Sequence, residues 1–279
     1  MTRVSTTISR DGTRLAYEVT GEGPSLVYVT GAICHRTFRP VRQGASVLSQ
    51  SFRVLSYDRR GRGDSTDTAP WSLDREVEDL EALIDTMGGQ VFLYGHSSGA
   101  VLALHAAHRL APKVQGAVLY DASWVADQAD AARYATVCAG VEALLDQGRG
   151  GAAIKRFLIG IGMPRLFAAL LPFMPGWRRL VALAPTLRYD ISLTAVPPPL
   201  DVAAMVRVPT HVMVGERSPE EMHRVADALG ASIPGATRET LAGQDHMVSE
   251  KVLLPSLVHH LRPSEETAQS RDTHPGGGS

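Results

Sequence analysis

The chain has 279 residues, of which 44% are hydrophobic, and its formal net charge at pH 7 is -1. This balance gives no electrostatic basis for binding nucleic acid. No uninterrupted apolar run approaches the roughly 20 residues that span a bilayer, and the N-terminus has no apolar signal core, so we expect neither a membrane span nor a secretory leader. The two cysteines, Cys34 and Cys138, form no metal or redox motif, which favours a reducing cytoplasm.

Short apolar runs alternate with longer segments of helical periodicity along most of the chain. The runs predict strands at residues 4–9, 14–19, 25–30, 53–57, 91–94, 114–120, 206–214 and 237–241. The segments between them predict helices at residues 41–50, 73–87, 98–110, 219–229 and 248–261. This alternation is typical of an α/β protein with a mostly parallel sheet and helices on both faces.

The alternation stops between residues 122 and 199. This stretch is helical in pattern, rich in Leu, Ala, Phe and Met, and interrupted by prolines. It is compatible with packed structural helices, and also with a cap over the C-terminal edge of the sheet that supplies apolar walls to a pocket. We therefore expect a core of residues 1–121 and 200–262, a helical cap of residues 122–199, and a disordered polar tail of residues 263–279.

The pentapeptide Gly95-His96-Ser97-Ser98-Gly99 lies between a predicted strand and a predicted helix. A serine at the apex of such a turn is forced into strained backbone angles. Glycines two residues before and after it relieve the crowding because they lack Cβ. A chance Gly-x-Ser-x-Gly is common, but the strand before it and the helix after it favour a functional turn. Ser97 is therefore the candidate nucleophile.

With Ser97 assigned, the chain resembles the α/β-hydrolase superfamily from the first hairpin to the last helix. Gly21-Glu22-Gly23-Pro24 is similar to the superfamily's turn before the third strand, and Asp58-x-Arg60-Gly61-x-Gly63-x-Ser65 is similar to its turn after the fourth strand. The resemblance implies an α/β-hydrolase fold, with a mostly parallel eight-stranded sheet, helices on both faces and a helical cap insert.

The resemblance also implies a histidine base after the last strand, where this chain has His246. A neutral imidazole there can take the Ser97 proton and later give it to the leaving group. The histidines at 105, 108, 259 and 260 fit this position less well. No His-Glu-x-x-His spacing occurs, so we expect no metal in the chemistry.

The acid departs from the superfamily's usual pattern. That pattern places it three residues past a glycine, after the strand that follows the cap, and the corresponding residue here is Ser218, which cannot hold a negative charge. Asp121, at the end of strand 114–120, is the preferred substitute, and in this the chain is similar to a group of actinobacterial-type hydrolases. Asp121 could equally be a structural aspartate. Glu216 and Glu220 stay open as alternatives, as does a site without an acid.

An oxyanion hole needs two backbone N–H groups. The resemblance assigns one to Ser98, at the start of a helix, and the other to Ala32, in the loop after the third strand. The superfamily commonly has His-Gly in this loop and the chain has Thr30-Gly31, but a backbone donor survives that change. The candidate substrate-binding residues are Ile33, His96, Trp124 and Met247.

These residues predict a serine hydrolase that cleaves an ester, thioester or lactone bond of a mainly apolar small molecule through an acyl-enzyme on Ser97. A carbon–carbon bond hydrolase stays open. So does a non-hydrolytic role on the same fold, as a biosynthetic cyclase or dehydratase or as a small-molecule binding protein, because the usual acid position is Ser218. No cofactor is expected, since Gly95-x-x-x-Gly99 is not a dinucleotide-binding fingerprint.

Overall fold

Eight strands form one sheet in the computed structural model, which describes residues 4–261. The strands are β1 (Ser5–Ile8), β2 (Arg14–Thr20), β3 (Ser25–Val29), β4 (Arg53–Tyr57), β5 (Val91–His96), β6 (Val114–Tyr120), β7 (Thr210–Gly215) and β8 (Thr237–Leu241). Their order across the sheet is β1-β2-β4-β3-β5-β6-β7-β8. Only the pairs β1–β2 and β2–β4 are antiparallel, which confirms the α/β-hydrolase fold class with a mostly parallel sheet.

Eleven α-helices connect or follow the strands within the described residues. They are α1 (Arg39–Leu48), α2 (Leu73–Thr86), α3 (Ser98–Arg109), α4 (Gln128–Asp146), α5 (Gly150–Gly160), α6 (Arg165–Leu170), α7 (Trp177–Ala182), α8 (Leu187–Thr194), α9 (Leu200–Met205), α10 (Glu220–Ser232) and α11 (Glu250–His260). Helices α4 to α8 occupy residues 122–199, which we call the insert. The tail predicted for residues 263–279 lies outside the described residues.

One strand begins later than the apolar pattern predicts. The run from residue 206 predicts a strand at once, but β7 starts only at Thr210. Pro209 has no N–H to give to a ladder, and a proline inside a central strand is disfavoured for that reason. Its carbonyl still accepts a hydrogen bond from Ala117 of β6, at 2.9 Å. The apolar residues before it therefore pack as the end of a loop rather than as a strand.

The sheet is covered on both faces, so the parallel strands bury side chains in both directions. Val27 and Val29 of β3 face the cluster formed with α2 and α3, whereas Leu26 and Tyr28 face the cluster formed with α1 and α11. A third apolar cluster belongs mainly to the insert. Among residues 4–261, every helix is too short or too polar to cross a bilayer.

Candidate active site

Ser97 occupies the turn between β5 and α3 with φ 60° and ψ -128°, a region that residues with a side chain rarely adopt. The two flanking glycines make this turn possible. A Cβ on Gly95 would lie 2.6 Å from Cα of Ala100, and a Cβ on Gly99 would collide with the carbonyl oxygen of Val29. The turn therefore presses α3 against β3 and β5 at a distance that only glycine permits.

Asp121 follows β6, and its side chain is completely buried. Its Oδ1 accepts the N–H of Gly215 at 3.1 Å, and its Oδ2 accepts the hydroxyl of Ser218 at 2.6 Å. The same Oδ2 lies 3.1 Å from Nδ1 of His246. Three donors from two chain segments, the end of β7 and the loop after β8, thus hold the carboxylate, and the residue in the superfamily's usual acid position is one of them.

The other nearby carboxylates are occupied elsewhere. Glu216 accepts the N–H of Gly243 at 2.6 Å. Glu220 is exposed at the start of α10. Asp245, next to the histidine, accepts the N–H of Met247 at 2.8 Å. Among the described residues, Asp121 is the carboxylate that hydrogen-bonds to His246.

The loop that carries His246 is fixed by two side chains from the sheet. His96 donates from Nε2 to the His246 carbonyl at 2.8 Å, and Tyr120 donates its hydroxyl to the Asp245 carbonyl at 2.6 Å. Burial, helped by the nearby His246, lowers the pKa of His96 to about 4, so its imidazole is neutral at neutral pH. With Nδ1–H of His246 donated to Asp121, Nε2 is left without a proton and can act as a base. His96, expected to bind substrate, thus also positions the histidine loop.

The Ser97 hydroxyl has a partner that the sequence analysis did not identify. Its Oγ lies 3.0 Å from Oγ of Ser123, and Ser123 donates to the Asp121 carbonyl at 3.1 Å. A hydroxyl has a single proton, so Ser97 is the donor of the pair. No hydrogen bond joins Ser97 to His246 within the described chain. Proton transfer between them requires the Ser97 hydroxyl to turn from Ser123 to the imidazole, and such bonds often tighten only with substrate.

The loop after β3 passes close to the nucleophile. A Cβ on Gly31 would lie 2.8 Å from Cβ of Ser97. Ile33, two residues later, has φ 49°, a strained value for a β-branched residue. Neither Ala32 nor Ser98, the two expected oxyanion donors, gives its N–H to another group in the part of the chain that the structure describes. Both amides are therefore available to a ligand.

A buried charge network lies beneath these two amides. Asp190, on α8 of the insert, accepts hydrogen bonds from Ser98 Oγ at 2.8 Å and Arg59 at 2.9 Å through Oδ1, and from Arg62 at 2.7 Å through Oδ2. Arg62 also donates to the Gly31 carbonyl at 2.8 Å. Burial acts to raise the pKa of Asp190, but the charges of Arg62 and Arg59 outweigh it and lower the pKa. One carboxylate thus connects the insert to both loops that surround Ser97.

The remaining candidate binding residues differ in exposure. Ile33 is 9% exposed and packs with Ile154 and Phe157 of the insert. Met247 is 68% exposed beside His246. Trp124 is 3% exposed and belongs to the cluster on the α2 and α3 face, so it offers a ligand almost no surface. Of these three, Met247 therefore has the large exposed apolar surface, and Ile33 joins the loop after β3 to the buried cluster of the insert.

Two known proteins are similar in sequence to parts of this chain. It is 30% identical over 114 residues to a proline iminopeptidase, PfmaB, of Pestalotiopsis fici, and 39% identical over 69 residues to a lipase, LipV, of Mycobacterium tuberculosis. These segments are 39% and 24% of this chain. They span only 41% and 26% of the two relatives, so the chain matches less than half of either one.

Solved structures match nearly the whole chain. An alpha/beta hydrolase from Sphaerobacter thermophilus superposes with a TM-score of 0.82 at 36% identity, covering 92% of this chain and 100% of that one. The enol-lactonase of Burkholderia xenovorans shares the fold, with a TM-score of 0.68 at 19% identity, over 92% of this chain and 99% of its own. The family model described as the alpha/beta hydrolase family matches residues 26–269. The chain belongs to the alpha/beta hydrolase family.

Proposed function

We propose that the protein is a serine hydrolase that cleaves an ester, thioester or lactone bond of a mainly apolar small molecule through an acyl-enzyme on Ser97. One observation carries the proposal. The imidazole of His246, whose ring lies beside His96, the residue before Ser97, gives its Nδ1–H to a fully buried carboxylate on Asp121. This is the arrangement that holds a histidine in the tautomer of a general base.

The proposed reaction has two halves. In the first, Nε2 of His246 takes the Ser97 proton while Oγ attacks the carbonyl carbon, and Asp121 stabilises the imidazolium. The N–H groups of Ala32 and Ser98 stabilise the oxyanion. The intermediate collapses as the imidazolium protonates the leaving alcohol or thiol. In the second half, water gives a proton to the same Nε2 and attacks the acyl carbon; the imidazolium then returns the proton to Oγ as the acyl bond breaks, which releases the acid and restores Ser97.

The apolar character of the substrate is inferred from the insert, which we expect to act as a cap. Its cluster of buried apolar side chains includes Ile33 of the oxyanion loop, and Ile154 and Phe157 belong to the same cluster. A substrate whose carbonyl lies between Ala32 and Ser97 would therefore lie beside Ile33, and it would contact the buried Ile154 and Phe157 once the insert moves. The case for a non-hydrolytic role depended on a missing acid at Ser218, and the Asp121 carboxylate beside it weakens that case.

A fluorophosphonate probe tests the proposal, because it reacts only with an activated serine. We expect one adduct by intact mass on the wild type, none on Ser97→Ala, and one on Ser123→Ala, which removes the neighbouring hydroxyl and is the matched control. Circular dichroism checks that each variant is folded. A folded wild type without an adduct, or an adduct that persists in Ser97→Ala, would overturn the assignment of the nucleophile.

Substrate class is tested on the same samples. We expect turnover of p-nitrophenyl esters of short and medium acyl chains, with kcat/KM rising with chain length because the extra methylenes contact apolar side chains. Proline p-nitroanilide is the matched competitor, since it presents an amide and a charged amine. Preference for the anilide would favour a peptidase and contradict the proposed ester specificity.

A further inference from the structure

A second group of ionisable side chains lies toward the opposite end of the parallel strands from Ser97. His211 is near the start of β7, whereas Gly215, which binds Asp121, is at its end. A strand rises about 3.3 Å per residue, so the two positions are roughly 13 Å apart. Glu239 of β8 and His260 at the end of α11 lie next to His211. Within residues 4–261 these three form the one group of metal-ligating side chains whose donor atoms all lie within 4.8 Å of one another.

The donor atoms of these three residues face one another. Nε2 of His211 lies 3.1 Å from Oε2 of Glu239, and Nε2 of His260 lies 4.0 Å from the same oxygen. The two imidazole rings stack, with centroids 3.5 Å apart and an angle of 19° between their planes. Two ligands about 2.1 Å from a tetrahedral ion are roughly 3.4 Å apart, and the observed separations lie on either side of that value.

Further hydrogen bonds orient two of the three residues. Nδ1 of His211 is 2.5 Å from Oγ1 of Thr237, and Ser256 donates its hydroxyl to Oε2 of Glu239. Metal-binding histidines and carboxylates are commonly held by such outer partners. The remaining ligand, His260, is partly exposed at the end of its helix.

We propose that His211, Glu239 and His260 bind one divalent transition-metal ion such as zinc, with a water molecule as the fourth ligand. Two imidazole nitrogens and one carboxylate oxygen suit zinc, whereas magnesium and calcium prefer oxygen ligands alone. The stacked rings must separate for both Nε2 atoms to point at one ion. The His260 ring can turn, because the torsion to an imidazole ring has a broad energy well and this side chain lies at the helix end.

The proposed ion has a structural consequence for the segment that contains His246. Glu239 precedes this segment and His260 follows it, so the ion would join β8 to the end of α11 and close the chain around the histidine loop. A ligand that binds the folded state and not the unfolded state raises the free energy of unfolding. We therefore expect zinc to stabilise the protein without taking part in the chemistry at Ser97.

Zinc titration of the full chain, freed of any polyhistidine tag and treated with a chelator, tests this site. A chromophoric chelator competes for zinc, and the expected result is one equivalent bound per chain with a raised Tm. Cobalt absorption bands typical of tetrahedral geometry provide a second readout. His260→Gln should weaken binding by roughly 100-fold or more, and Thr237→Val by roughly 10-fold. The matched control is His259→Gln, because His259 is adjacent in sequence and outside the ligand set.

The outcomes are separable. Because His211 is buried, its replacement tests folding as well as binding, so the partly exposed His260 is the decisive position. Equal zinc affinity for the wild type and His260→Gln would overturn the site. A loss of binding in His259→Gln as large as in His260→Gln would overturn the ligand assignment. Binding by the wild type and His259→Gln, with loss in His260→Gln, supports it.

Discussion

The hydroxyl of Ser218 donates a hydrogen bond to the Asp121 carboxylate over 2.6 Å. Ser218 follows β7 and Asp121 follows β6, and the two strands are parallel neighbours. Their ends therefore meet at the same edge of the sheet. In the proposed triad, the negative charge that the family usually takes from the later loop comes from Asp121 on the neighbouring strand, and the serine in the usual position donates a hydrogen bond to it. Moving the acid by one strand keeps its carboxylate beside the same histidine.

The proposed role of Asp121 predicts a large kinetic defect on neutralisation. Asp121→Asn keeps the shape but favours the wrong tautomer of His246, so kcat on a p-nitrophenyl ester should fall by about 10⁴. Glu216→Gln is the matched control, because it removes a carboxylate that bonds only to the Gly243 amide. Its kcat should stay within about twofold of the wild type. The reverse ranking of the two variants would assign the acid to Glu216.

Because Ser218 lies in hydrogen-bonding contact with Asp121, a carboxylate placed at residue 218 should restore part of the activity lost in Asp121→Asn. In an Asp121→Asn background, Ser218→Asp restores a carboxylate at the family's usual position, one atom longer than the serine and within reach of the imidazole. The double variant should recover at least about tenfold in kcat over Asp121→Asn, because about 1.4 kcal/mol of transition-state stabilisation returns. Ser218→Ala in the same background is the control. Equal rates for the two double variants would mean that the position cannot serve the histidine.

Asp190 is predicted to matter for stability as well as for turnover. Asp190→Asn removes the carboxylate paired with Arg62, and a buried charge left without its partner costs about 3–5 kcal/mol, whereas Arg59 keeps its ion pair with Glu76. Urea denaturation at pH 7 measures the change, and kcat should fall because the Ser98 hydroxyl and Arg62, which binds the Gly31 carbonyl, lose the carboxylate that holds them. Asp227→Asn, which breaks an exposed ion pair with Arg238, should cost no more than about 1 kcal/mol. Similar costs for the two variants would contradict the network.

Stability should decrease in mild acid because of His105. This side chain is buried in α3, and burial, followed by the charge of Arg109, lowers its pKa from 6.5 to about 4. Between those pH values the unfolded chain binds a proton that the folded chain does not, so the free energy of unfolding falls as the pH drops. His105→Gln should reduce this slope without abolishing it, because His96 also has a pKa lowered to about 4; urea denaturation from pH 7 to pH 4 measures the slope. His108→Gln, one turn along, should keep it. A wild-type slope in His105→Gln would refute the assignment.

The sheet could be predicted from the sequence because its signals are local. The bounds predicted for the strands at 53–57, 114–120 and 237–241 match β4, β6 and β8. Each of these runs is short, apolar or β-branched, and ends at a turn or a charged residue. The helices of the insert gave no such bounds. They are rich in alanine and leucine with few clear end signals, and where each helix begins depends on packing with the others.

The site residues that could be predicted from the sequence are those marked by a local signal. Ser97 lies in a motif five residues long, and Asp121 lies at a strand end. Asp190 was not predictable, because its partner Ser98 is 92 residues away and nothing in the insert's sequence indicates which carboxylate points inward. Ser123 lies two residues after Asp121, but only the three-dimensional structure brings its hydroxyl to Ser97.

The Asp190 network also limits how a substrate can enter. Because α8 is tied to Arg59 and Arg62 through buried ion pairs, lifting this helix from the sheet would leave both guanidinium groups without that carboxylate, at a cost of several kcal/mol. Helices α5 and α7 contribute mainly apolar residues to the insert's cluster, and their contacts can slide at lower cost. If the insert caps the site as we propose, we expect α5 to α7 to move in preference to α8 when a substrate enters.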